Sequence, residues 1–108
     1  MDRTLAARCL SELGNLTRLD VYRLLVRAGP KGLNIGEIQA RLDIPASTLA
    51  FHLRGLVTAE LVQQQKVGRE TVCHAHHRRL NEVIGFLREK CCAGFEDEPV
   101  PVRSRRAG

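Results

Sequence analysis

The chain has 108 residues, 44% hydrophobic and 27% charged, which allows one modest core and excludes a second domain of ordinary size. No apolar run approaches the length of a membrane span and no charged-then-apolar leader opens the chain, so a cytoplasmic protein is expected. Seventeen Lys and Arg against twelve Asp and Glu give a net charge of +5, a balance that raises the prospect of an anionic partner, nucleic acid being the commonest.

Periodicity marks the elements in chain order. Ala6, Cys9, Leu10 and Leu13 follow the i, i+3, i+4, i+7 spacing of a helix face, and Gly14-Asn15 breaks it. Val21, Leu24, Leu25 and Ala28 repeat the spacing, and Gly29-Pro30 stops it. Ile35, Ile38 and Leu42 form a short third helix, opened by Asn34 and Glu37 at capping-box spacing. A fourth begins near Pro45 and buries Leu49, Leu53, Leu56 and Val57. Residues 62–67 and 70–74 then read as two strands around Gly68-Arg69. Leu80, Val83, Ile84 and Leu87 restore helical spacing up to a pair of adjacent cysteines, with Gly94 as the stop. Residues 96–108, acidic and then rich in Pro and Arg, carry no apolar period and are expected to be a disordered tail beyond a domain of residues 1–95.

The predicted fold is mainly α with a small β component: five helices and a two-stranded hairpin. Two short helices joined by a tight turn and followed by a hairpin are the parts of a winged helix-turn-helix. In that arrangement the second short helix enters the major groove of DNA. With Leu49, Leu53, Leu56 and Val57 turned inward, Ser47, Thr48, Ala50, Phe51 and Arg54 fall on the opposite face, with His52 at the boundary. Ser47 and Thr48 suit phosphates or base edges, Arg54 phosphate or guanine, and Ala50 or Phe51 a thymine methyl. Lys66 and Arg69 flank Gly68, where a tight turn sets both charges against the backbone. An ordinary solvated helix is the alternative for any one residue; the ensemble points to double-stranded DNA.

The stretches LGNLTRLDVYRLL, IPASTLAFHLRGL and KVGRETVCHA resemble the second helix, recognition helix and wing of the ArsR/SmtB family of bacterial repressors, over residues 5–87. The resemblance implies a homodimer joined through the first and last helices. It implies a two-fold symmetric operator, released when a metal, metalloid or thiol-reactive signal is sensed. It makes residues 47–54 the recognition helix and residues 66–70 the wing tip. Where the family often has a polar or basic pair before His-Leu, this chain has Ala50-Phe51.

The family's sensing sites can be sought in turn. A Cys-x-Cys in the helix before the recognition helix is missing, since that stretch reads NIGEIQARL. The interfacial zinc site needs carboxylates and histidines across the last helix. Here His74, His76 and His77 precede it and Arg88 and Glu89 occupy its end. Thiols remain, and in a reducing compartment the four cysteines are ligands, redox centres or core residues rather than a disulfide framework. Cys91-Cys92 resembles the adjacent cysteines that some arsenic sensors of the family carry at the end of the last helix. The resemblance implies trivalent arsenic or antimony as effector, held by thiolates, which select soft ions. No organic cofactor is implied.

The tail has no third cysteine, so a third ligand is absent or is Cys9 or Cys73. Cys73 stands across a helix of about fifteen residues, roughly 22 Å, so Cys9 is the better third ligand if the first and last helices pack together. Adjacent residues of a helix do not face each other, so chelation by Cys91 and Cys92 should unwind the last turn and shift the recognition helices. Three alternatives stand beside this reading. One is a redox or persulfide sensor pairing Cys9 or Cys73 with Cys91 or Cys92. Another is an architectural DNA binder with incidental cysteines. The third, a thiol enzyme, lacks an anion-binding loop before its nucleophile, so no enzyme activity is expected.

Overall fold

The computed structural model describes residues 1–95; the tail expected to be disordered lies outside them. Helix α1 (Arg3–Leu13) opens where the Asp2 carboxylate accepts the Leu5 N–H at 2.8 Å. Helix α2 (Leu16–Ala28) opens on Asn15, whose side chain accepts the Arg18 N–H at 3.0 Å. Each cap satisfies an amide that the helix itself leaves unbonded. Gly29, with φ of 72°, ends α2 and leads through a 3-10 turn (Gly29–Lys31) into strand β1 (Leu33–Asn34). Helix α3 (Ile35–Leu42) carries the expected capping box. Asn34 Oδ1 accepts the Glu37 N–H at 2.8 Å, and Glu37 Oε1 accepts the Asn34 N–H at 2.9 Å.

Asp43 takes a left-handed conformation (φ 51°) and closes α3, giving the tight turn into α4 (Ala46–Thr58). Strands β2 (Val62–Val67) and β3 (Glu70–Ala75) form an antiparallel hairpin, followed by α5 (His77–Arg88). Gly68, at the first position of the two-residue turn, has φ of 65°, a value open to glycine and strained for other residues.

The sheet has three strands in the order β1-β3-β2, one more than the two predicted. Leu33 pairs with Cys73 and Asn34 with Val72. Two residues are too short to carry an alternating pattern, so β1 leaves no periodic signal. Gly32 makes the pairing possible: a Cβ there would collide with the Cys73 carbonyl and the His74 ring.

The core gathers Cys9, Val21, Tyr22, Leu25, Ile38, Leu49, Leu53, Leu56, Leu61, Cys73 and Val83. Two parts of the predicted apolar stripes are not in it. Leu10 on α1, and Ile84 and Leu87 on α5, at 45% and 59% exposed, face away from this chain's core. The last helix also stops short of the cysteines. Glu89 leaves helical geometry (ψ 127°), and Lys90 and Cys92 are left-handed with φ of 58° and 61°. Residues 87–95 are exposed, so no packing of an apolar face sustains a further turn. No helix among the described residues is long and apolar enough to cross a membrane.

Candidate nucleic-acid interface and thiol pair

Helix α4 buries Leu49, His52, Leu53 and Leu56, which fixes its rotation. Ser47, Ala50, Phe51 and Arg54 are exposed on the opposite side, with Thr48 half-buried beside them. Phe51 is 59% exposed, a large apolar ring standing on a polar surface. At the hairpin tip Lys66 and Arg69 are both exposed, and Val67 pairs with Glu70 across the turn. The arrangement offers hydroxyls, a guanidinium and an apolar ring along one helix face, and two cations on a projecting ribbon.

His52 departs from this set. It is 8% exposed, and its Nδ1 accepts a hydrogen bond from Arg18 Nε at 3.3 Å. Burial, with the Arg18 charge beside it, lowers its pKa from the ordinary value of 6.5. His52 is therefore a neutral, inward-facing residue rather than a contact on the outer face; its boundary position resolves towards the core because Arg18 supplies a donor there.

Arg18 was not among the residues singled out by sequence. Its Nη1 donates to Glu12 Oε2 at 2.6 Å and to the Glu12 carbonyl at 3.4 Å, and its Cζ lies 5.8 Å from the Phe51 ring centroid. Gly55 on α4 leaves room for this approach, because a Cβ there would meet the Glu12 carboxylate. The signal was present: Arg18 stands at i−3, i−4 and i−7 from the buried Val21, Tyr22 and Leu25, so it sits on the apolar stripe of α2, where a cation needs partners.

The cysteines divide into two kinds. Cys9 is fully buried, its Sγ donating to the Ala59 carbonyl at 3.7 Å, and burial is the first cause of its raised pKa. Cys73 is also fully buried, accepts from Gln64 Nε2 at 3.6 Å, and has its pKa raised by burial. Cys91 and Cys92 are exposed, with their sulfurs 3.4 Å apart. The convergence follows from the backbone: Cys91 N–H bonds to Arg88 O at 2.9 Å and Ala93 N–H to Lys90 O at 3.1 Å, two successive turns in place of a helix.

The expected unwinding step is thus replaced. The helix has already ended and the thiols already face each other. Cys9 is not brought to them; among the described residues no three His, Cys, Asp or Glu side chains converge as a metal site. Within one chain Cys9 acts as a core residue, for a thiol fully out of water resists becoming a thiolate.

A short helix pair with an exposed second helix, backed by a hairpin with a cationic tip, is a winged helix-turn-helix. A helix-turn-helix domain family matches residues 13–65, from the end of α1 into β2. An ArsR-like transcriptional regulator from Rhodococcus sp. RHA1 is 27% identical, with 78% of this chain and 76% of that one covered and a TM-score of 0.70. HlyU from Vibrio cholerae N16961 is 24% identical over 85% of this chain and 99% of that one, with a TM-score of 0.67. The transcriptional regulator HlyU from Vibrio vulnificus CMCP6 is 25% identical over 81% and 88%, with a TM-score of 0.62. No curated protein matches the chain significantly. The chain is a winged helix-turn-helix protein similar to ArsR-like transcriptional regulators, which are DNA-binding proteins and not enzymes.

Proposed function

We propose that the protein is a homodimeric repressor that releases its operator when trivalent arsenic or antimony binds Cys91 and Cys92. The observation that carries the reading is the 3.4 Å separation of two exposed, unbridged sulfurs. At a metal–sulfur distance of about 2.3 Å that separation subtends about 95° at the ion. This is narrower than the tetrahedral angle and suits a pyramidal trivalent centre. A third position on the ion is then left to water, hydroxide or a thiol from elsewhere.

The dimer reading rests on Leu10, Ile84 and Leu87, apolar and exposed on α1 and α5. The DNA reading rests on Ser47, Thr48, Ala50, Phe51 and Arg54 along α4, with Lys66 and Arg69 at the wing. The thiol pair follows Leu87 by four and five residues, so an ion bound there stiffens the chain at the rim of the proposed dimer face. A coupling of about 1–3 kcal/mol between ion and operator suffices for a switch.

A redox or persulfide sensor of the same fold is the alternative. It needs exposed thiols of low pKa. Cys9 and Cys73 are fully buried with raised pKa values, so that chemistry too would fall to Cys91 and Cys92.

The test is release of the reduced protein from its own upstream DNA, followed by fluorescence anisotropy with arsenite, zinc and a persulfide donor in parallel. Release by low arsenite, lost in Cys91→Ser and Cys92→Ser, is expected. Release by the persulfide donor alone would transfer the function to redox sensing. Continued binding under all three would make the thiols incidental.

A further inference from the structure

Phe51 is in ring contact with two residues, Arg18 and His52. The Arg18 guanidinium carbon lies 5.8 Å from its ring centroid, within cation–π range, and the His52 ring meets it edge-on at 5.3 Å and 70°. Arg18 is itself clamped. The Glu12 carboxylate and carbonyl take Nη1, and His52 Nδ1 takes Nε. Its side chain is 14% exposed, and its charge is already paired with Glu12. Such a guanidinium is poorly placed to reach a DNA phosphate and well placed to act as a fixed plate behind the ring.

We infer that Phe51 reads a thymine methyl in a pose set by Arg18, and that Glu12 on the first helix sets Arg18 in turn. Arg18 and Glu12 are positioning residues for the reading surface, though neither lies on the recognition helix. Gly55 completes the device, since any side chain there would push Glu12 off α4. The chain of contacts runs from α1, part of the proposed dimer face, to the exposed ring. A displacement of α1 therefore changes which bases are read as well as how tightly DNA is held. The inference rests on the DNA-facing assignment of α4 and adds to it the source of a base preference.

The experiment compares anisotropy of the full chain on its own upstream duplex and on the same duplex with every thymine replaced by deoxyuridine, which removes only the C5 methyls. Burial of one methyl is worth about fourfold in affinity. Wild-type protein is expected to bind the deoxyuridine duplex more weakly by at least that factor. Phe51→Ala, Arg18→Lys and Glu12→Gln are expected to bind the two duplexes alike. Arg18→Lys keeps the charge without the planar fork, and Glu12→Gln keeps the size without the charge.

A merely structural role for Arg18 would weaken both duplexes by one factor and leave the wild-type ratio standing; that result overturns the inference. A wild-type ratio near one overturns it as well. Should Arg18→Lys fail to fold, Glu12→Gln decides. Wild-type protein that binds the thymine duplex normally while the ratio is flat defeats this inference alone. Wild-type protein that binds neither duplex defeats the DNA-facing assignment of α4 itself.

Discussion

Arg18 Nε donates to His52 Nδ1 at 3.3 Å, which requires His52 to be without a proton at that nitrogen. The bond ties α2 to the recognition helix and makes the fold sensitive to acid at one histidine. His52 has a lowered pKa, first through burial and then through Arg18. On acidification past the ordinary value near 6.5 the unfolded chain takes up a proton before the folded chain does. Stability therefore falls as pH falls through that region, until the folded state also titrates. The melting temperature of the wild type should drop more steeply between about pH 7.5 and pH 5.5 than that of His52→Gln, whose amide oxygen still accepts from Arg18. Parallel curves would remove His52 from the acid response.

In the proposed complex the wing meets DNA through the exposed charges of Lys66 and Arg69. Replacing Lys66 or Arg69 by Ala should weaken binding to all sequences about equally. Each change should also reduce the slope of log affinity against log salt by about 0.9, one phosphate's worth. A change confined to one base position in a scanned operator would instead make the residue a base reader.

Ile84 and Leu87 are exposed on α5, so polar substitutions there leave the core of one chain intact. Leu87→Glu, or Ile84→Glu with it, should halve the mass in sedimentation equilibrium while far-ultraviolet circular dichroism is retained. A dimer that survives both changes would place the interface elsewhere.

Gly32 and Gly68 both have positive φ, yet they differ in surroundings. Gly68→Ala meets open space and should cost about 1–2 kcal/mol of backbone strain. Gly32→Ala adds a collision with the Cys73 carbonyl and should cost several kcal/mol, the range of an overpacked core. Denaturant midpoints of the two variants order them directly; equal costs would mean β1 yields easily.

Cys9 lies in the core away from solvent. Cys9→Ala is expected to lower stability modestly and to leave arsenite-driven release unchanged. Loss of release in a folded Cys9→Ala dimer would bring Cys9 back as a ligand from the partner subunit.

Much of the fold was legible because amphipathic helices write their burial at regular spacing. Val21, Leu25, Leu49, Leu53, Leu56 and Val83 all fell inward as periodicity required. The capping box at Asn34 and the glycine turn at Gly68 were legible for a local reason, since each is settled within four residues. Three features were not. The strand β1 exists only by pairing with β3, far along the chain. The side His52 takes depends on a donor from α2. The end of α5 depends on what fails to pack over residues 87–92, and a stripe of apolar letters records affinity for a partner surface without saying which chain supplies it.

The thiol pair stands outside every described helix and strand, in exposed turns beyond α5. On the proposed reading, a sensor so placed is separable from the reader. A handful of residues after Arg88 could be exchanged among related chains, giving a new inducer to an unchanged operator, and none of the substitutions would have to pass through a destabilised fold on the way.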